Sequence, residues 1–310
     1  MKKLKKWCFG FISLLLLFLL ATFIFHRISL EKEKASLTPM GQQVLVNGHQ
    51  INVYVEGDGP ETIVVLSGAG IASPILDFKE VSESLSKQYK VVIVERAGYG
   101  YSDDSNHSRD VMEVLSETRQ ALSQANITGP FIILSHSMAS LESLAWQEKY
   151  PDEVKALIGL DWALPSSYEN LKDNQALLTL AYWSSKIGFL RYFPESFYIK
   201  NQTLIESERK QYKLLAYKQL MSQAMLHESQ TVKENAKKVP SNINPKIPTL
   251  LLVSNGKGTG FSQSEWQRYA ERFASDQSNV QVVYMDAPHD LYHYQSDAIV
   301  SRIKEFLKSH

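Results

Sequence analysis

The sequence predicts an α/β domain, a mostly parallel sheet with helices on both faces. Short runs of Val, Ile and Leu recur along the chain without polar alternation, as strands buried on both faces require. Segments with helical spacing separate those runs, and strand–helix alternation is the signature of parallel pairing. A third observation stands apart from the domain: the chain opens with an apolar stretch long enough to cross a membrane.

That stretch comes first. "MKKLKK" carries four lysines, and Trp7–Phe25 is then 19 residues without a charge. At 1.5 Å per residue the run spans a hydrocarbon core of about 30 Å. A cleaved signal peptide would have a shorter apolar region and small residues at its cleavage site, whereas this run ends "TFIFHR". Residues 1–27 therefore read as an uncleaved transmembrane helix. The lysines would stay cytoplasmic, which predicts a single-pass protein of the cell membrane with its domain on the extracytoplasmic side.

Residues 28–41, "ISLEKEKASLTPMG", are polar and read as a linker. "QQVLVNGHQINVYVEG" follows, two alternating segments about Asn47-Gly48, the strongest short hairpin signal. Apolar strand-like runs lie at 62–68, 89–95, 130–135, 154–161, 248–254 and 280–286. Helical spacing appears near 77–88, 109–125, 138–149, 262–274 and 296–308. The alternation stops over 164–246, where Ala176–Phe193 is dense in aromatic and aliphatic residues. That gap is too long for a plain loop and reads as a helical cap inserted after strand 6. The core would then comprise 42–163 and 247–310.

Composition narrows the function. Lys plus Arg and Asp plus Glu are both 33, so net charge gives no case for nucleic acid as a partner. Cys8 is the only cysteine, which excludes an intrachain disulfide. The chain has no internal repeat, zinc-type Cys/His cluster or phosphate-binding glycine loop.

The segment "LSHSMAS", Leu134–Ser140, follows the apolar run "FIIL" and precedes a helical segment. A serine at the tip of a strand-to-helix turn exposes its hydroxyl and frees the next backbone N–H for an oxyanion. The residues two before and two after the serine crowd each other there, and Ser135 and Ala139 are small enough. Ser137 is thus a candidate nucleophile. It needs a base to take its proton.

Four segments in order make the chain resemble the α/β-hydrolase superfamily over roughly residues 42–308. "VVLSGAG" (64–70) resembles the segment after the third strand that carries an oxyanion donor. "VERAGYGYSD" (94–103) is similar to D-R-x-G-x-G-x-S with Glu95 in place of Asp, and "SHSMAS" to the elbow G-H-S-M-G-G. "MDAPHDLYHY" (285–294) resembles the segment that delivers the histidine.

The resemblance implies an α/β-hydrolase fold and a serine hydrolase, most simply a carboxylic ester hydrolase. Ser137 would be the nucleophile and His289 the base, with the Ala69 and Met138 N–H groups as oxyanion donors. His293, one helical turn on, would pack or hydrogen-bond locally, and His136 would be structural. No carboxylate follows the seventh strand until Glu265, so the acid is assigned to Asp161 at the end of the sixth strand, as in a subset of the superfamily. Asp286 is the next candidate. No metal or organic cofactor is implied, and the partners are a small-molecule substrate and the membrane. The aromatic cap suggests a small ester or acyl substrate. Two alternatives are an aminopeptidase of the proline iminopeptidase type, with Glu228 or Glu234 gripping an amino group, and a non-catalytic binding protein.

Overall fold

The computed structural model describes residues 2–172, 174–193 and 203–310. Helix α1 (Lys2–Lys34) comes first. It runs through the apolar stretch and on into the residues read as a linker. "LEKEK" consists of strong helix formers, and nothing in it stops a helix before the turn at Ser36. Most apolar side chains of α1 project away from the rest of the protein.

Among the described residues the sheet has eight strands, in the order β1-β2-β4-β3-β5-β6-β7-β8. The hairpin of β1 (Gln42–Val46) and β2 (His49–Glu56) forms the antiparallel edge about Asn47-Gly48, both at positive φ. Next along the chain are β3 (Thr62–Leu66), the short α2 (Pro74–Asp77) with α3 (Lys79–Leu85), β4 (Lys90–Glu95) and α4 (Val111–Gln124). β5 (Phe131–His136), α5 (Ser140–Lys149) and β6 (Val154–Leu160) follow. After the insert come β7 (Thr249–Val253), α10 (Gln263–Ala274), β8 (Val280–Tyr284) and α11 (Ser296–Lys308). From β4 to β8 every pairing is parallel.

The period-two geometry of a strand sends successive side chains to opposite faces, and the core divides accordingly. Val64, Leu66, Val92, Val94 and Ile133 pack on one face with Leu115 of α4, Leu144 of α5 and Trp266 of α10. Ile63, Val65, Val91, Ile93 and Ile132 pack on the other with Val81 of α3 and Ile303 of α11. Both faces are covered, which is why the strands read as continuous apolar runs.

Between β6 and β7 lie α6 (Pro165–Glu169), α7 (Gln175–Ile187), a 3-10 turn (Phe189–Tyr192), α8 (Glu206–Gln219) and α9 (Gln223–Lys238). The insert is helical where described; Asp173 and residues 194–202 lie outside the described residues. Register aligns Leu66 with Ser135, Ser135 with Gly159, Gly159 with Leu251 and Leu251 with Val282. The loops after β3, β5, β6, β7 and β8 therefore emerge along one edge, where ligands bind in open parallel sheets.

Candidate active site

Ser137 sits between β5 and α5 at φ +52°, a left-handed conformation that a non-glycine residue adopts rarely. The residue is half-buried, and its hydroxyl lies 2.7 Å from His289 Nε2. His289 Nδ1 lies 2.5 Å from Asp161 Oδ2. A carboxylate can only accept, so Nδ1 carries the ring proton, and unprotonated Nε2 accepts from the serine hydroxyl. Residues 137, 161 and 289 come from three different loops and join in one hydrogen-bonded chain.

Asp161, fully buried, is also in the left-handed region at φ +49°. Its second oxygen, Oδ1, accepts from the Ser254 backbone N–H at 2.7 Å and from Trp266 Nε1 at 2.8 Å. Both carboxylate oxygens are thus committed, which fixes the carboxylate plane beneath the imidazole. The next residues stitch this turn to the serine loop. Trp162 Nε1 donates to Ser135 Oγ at 2.8 Å, Ala163 N donates to Ser137 O at 3.2 Å, and Ser140 Oγ donates to Ala163 O at 2.6 Å. Ser135 stands where a glycine is usual, and its buried hydroxyl also accepts from Ser143 at 2.7 Å. A polar side chain is tolerated there because its hydrogen bonds are supplied.

The rival acids have other employment. Asp286 accepts from Asn255 Nδ2 at 3.0 Å. Glu265 closes a capping box with Ser262 at the start of α10. Adjacent residues on a helix point about 100° apart, so Glu265 faces solvent while Trp266 faces Asp161. His293 pairs with buried Asp77 of α2 at 3.3 Å. His136 is buried; desolvation, then the neighbouring His289 ring, hold its pKa well below the usual imidazole range. Neutral His136 donates from Nε2 to the His289 carbonyl at 3.2 Å, which helps place that loop. His289 is further fixed by its own N–H, donated to Lys257 O at 2.8 Å.

The segment after β3 lies against the serine. A Cβ on Gly68 would come within 2.7 Å of His136 Nδ1 and 3.0 Å of Ser137 Cβ, so only glycine lets this loop approach. Arg96 holds the loop from below, donating from Nη1 to Ser67 O at 2.8 Å and from Nη2 to Gly68 O at 3.3 Å. Arg96 in turn belongs to a buried charge cluster. Glu228 of α9 accepts from Arg109 Nη2 at 2.9 Å and from Tyr99 at 2.5 Å, and lies 3.3 Å from Arg96 Nε. Burial pushes the Glu228 carboxyl up, but Arg96 and Arg109 more than offset this and hold it below the ordinary range. Glu228 is therefore occupied, and Glu234 is exposed and paired with Lys237 at 2.8 Å.

Residues 62–188 match the family described as alpha/beta hydrolase fold. Over 96 % of its length the chain is 33 % identical to the uncharacterized protein YbdG of Bacillus subtilis (strain 168), covering 94 % of that protein. The chain belongs to the α/β-hydrolase superfamily. Solved structures share the fold at low identity. An epoxide hydrolase from Vigna radiata superposes with a TM-score of 0.66 at 14 % identity, over 87 % of this chain and 97 % of that one. A membrane phospholipase A described as a bacterial virulence factor gives 0.62 at 16 %, over 98 % of both chains.

Of the residues singled out in the sequence, Ser137, His289 and Asp161 are brought together in the structure. The sequence pattern missed Arg96 as the support of the segment after β3 and Trp266 as a donor to Asp161. Arg96 was in view inside "VERAGYGYSD". Trp266 carried no signal, because a tryptophan in an amphipathic helix reads as core.

Proposed function

We propose that this hydrolase is a membrane-anchored serine hydrolase that acts by acyl transfer on a small ester or acyl substrate. Ser137 Oγ attacks the substrate carbonyl while His289 Nε2 takes its proton. Asp161 holds the imidazole in the required tautomer and stabilises the imidazolium that forms. The Ala69 and Met138 N–H groups receive the oxyanion, a contribution often worth several kcal/mol. His289 then gives its proton to the leaving group, and water admitted to the acyl-enzyme regenerates Ser137 by the same relay. Residues 1–27 anchor the chain, with the lysines cytoplasmic and the domain on the extracytoplasmic side.

The observation that carries the reading is the unbroken chain from Ser137 through His289 to Asp161. A nucleophile, a base and an orienting acid within hydrogen-bond reach is the arrangement that activates serine. The ester reading is favoured over an aminopeptidase because Glu228 and Glu234 already have cationic partners. The fold shared with a membrane phospholipase A makes membrane-borne esters a class to screen early.

A fluorophosphonate probe tests the proposal directly. The folded wild-type protein should be labelled and Ser137→Ala should not. A folded wild-type protein that takes no label would support a non-catalytic binding role instead.

A further inference from the structure

The helical insert carries an apolar face that the core leaves uncovered. Leu177, Leu180 and Trp183 follow one another at three-residue spacing on α7, and Phe189, Tyr192 and Phe193 extend the patch through the 3-10 turn. These six side chains are between 42 and 62 % exposed, an unusual concentration for a protein surface in water.

The patch is continuous with the apolar part of α1. The Tyr192 ring lies 6.0 Å from that of Phe18, and its hydroxyl is 3.0 Å from Thr22 Oγ1. Both partners lie inside the uncharged Trp7–Phe25 run. Arg191, one residue earlier, reaches the other way along α1. It donates to His26 Nδ1 at 2.8 Å and to both Glu33 oxygens at 2.7 Å, and its guanidinium sits over Tyr217 at 4.3 Å. Gly188 backs directly onto His26, where a Cβ would strike the imidazole. Uncharged contacts, a ring pair and a hydroxyl pair, thus fall at 18 and 22, those of the Arg191 guanidinium at 26 and 33, and the change comes at the end of the apolar run.

Depth follows from helix geometry. Phe18 lies seven residues before Phe25, about 10 Å along the axis at 1.5 Å per residue. With Trp7–Phe25 filling a hydrocarbon core of about 30 Å, a side chain touching Phe18 is well below the surface of that core. Tyr192 cannot hold this contact while the insert stays in water.

We propose that residues 175–193 of the insert are seated in the extracytoplasmic leaflet of a lipid bilayer, with the six apolar side chains among the acyl chains. This rests on the anchor reading above. Aromatic and aliphatic side chains on one face beside a charged border are the pattern of an interfacial segment.

Tryptophan quenching tests it on the full chain in phosphatidylcholine vesicles whose acyl chains are brominated. In a Trp7→Phe background the remaining tryptophans are Trp183 and the buried Trp146, Trp162 and Trp266. Bromine should reduce the emission, and adding Trp183→Phe should abolish most of that loss without altering the melting temperature. Protein that floats with the vesicles but shows no bromine-dependent loss would overturn the seating and leave the anchor standing. Failure to float after an alkaline wash would overturn both. A further variant, Cys8→Ser with Leu180→Cys, reads the competing occupant. Its oxidation to a disulfide-linked dimer, with Trp183 unquenched, would assign the face to a second copy of the chain.

Discussion

Asp161 occupies a backbone conformation that costs an aspartate of order 1 kcal/mol or more, and the surrounding bonds explain why it persists. Ser254 and Trp266 fill Oδ1 and His289 fills Oδ2, so the residue is over-determined. Substitution by asparagine separates orientation from fold. The amide oxygen of the replacement would still accept from Ser254 and Trp266, while its NH₂ would donate to His289 Nδ1. The imidazole would then carry its proton on Nε2 and could not accept from Ser137. Asp161→Asn should therefore cut turnover by roughly 10⁴-fold with an unchanged melting temperature, and Asp286→Asn should leave turnover near wild type. The reverse pattern in a steady-state ester assay would assign the orienting acid to Asp286 and overturn the proposal for Asp161. The position of Asp161 was legible because a carboxylate ended the sixth apolar run while none followed the seventh until Glu265. Its partners were not, since a backbone N–H and a tryptophan on a helix have no signature in the order of residues.

Between elements, the insert is tied to the sheet by charge as well as by apolar contact. Helix α9 brings Glu228 to Arg96 at the end of β4 and to Arg109 before α4. Its Asn235 also donates to Arg109 O and accepts from Val111 N. The helix thus braces the arginine that holds the Ser67 and Gly68 carbonyls. Neutralising one member of a buried ionic cluster strands its partners, at a cost of about 3–5 kcal/mol. Glu228→Gln should lose that much in denaturant unfolding of the detergent-solubilised chain. A loss no greater than the roughly 0.5 kcal/mol of an ordinary surface change would show that the arginines are satisfied without it. The strands and core helices were readable from periodicity, and the insert only as a helical region. Its contacts with the core include pairs such as Lys79–Glu208 and Tyr99–Glu228, separated by 129 positions, and no local pattern encodes such pairs. The end of α1 was misplaced for a related reason. "LEKEK" reads as a polar stalk by composition and as helix by propensity, and docking of Glu33 onto Arg191 favours the helix.

At the scale of the whole molecule, stability should carry a pH dependence set by the departure from the family pattern at Glu95. This carboxyl is fully buried where β2, β4, α2 and the turn after β4 meet. It accepts from Asn52 Nδ2 at 3.1 Å and from Tyr101 N at 2.8 Å. Glycine is required at position 100 because a Cβ there would collide with that carboxylate. Burial pushes the Glu95 pKa from 4.5 up to about 7, against the opposing pull of the Tyr101 and Ile75 N–H groups and Asn52. Between those two values the folded chain keeps a proton that the unfolded chain has released. Stability from this group is therefore fully present below the unfolded value and is lost as pH rises towards the folded one. The shift corresponds to a loss on the order of 3 kcal/mol. Burial also raises Asp77 and Glu142, so the wild-type slope is a sum, and the difference from Glu95→Gln isolates this residue. Glutamine has no proton to lose. The variant should match wild type near pH 5 and melt higher near pH 8, with a flatter profile between. Parallel melting profiles in detergent would mean that Glu95 is ionised throughout the range, held charged by the donors that converge on it.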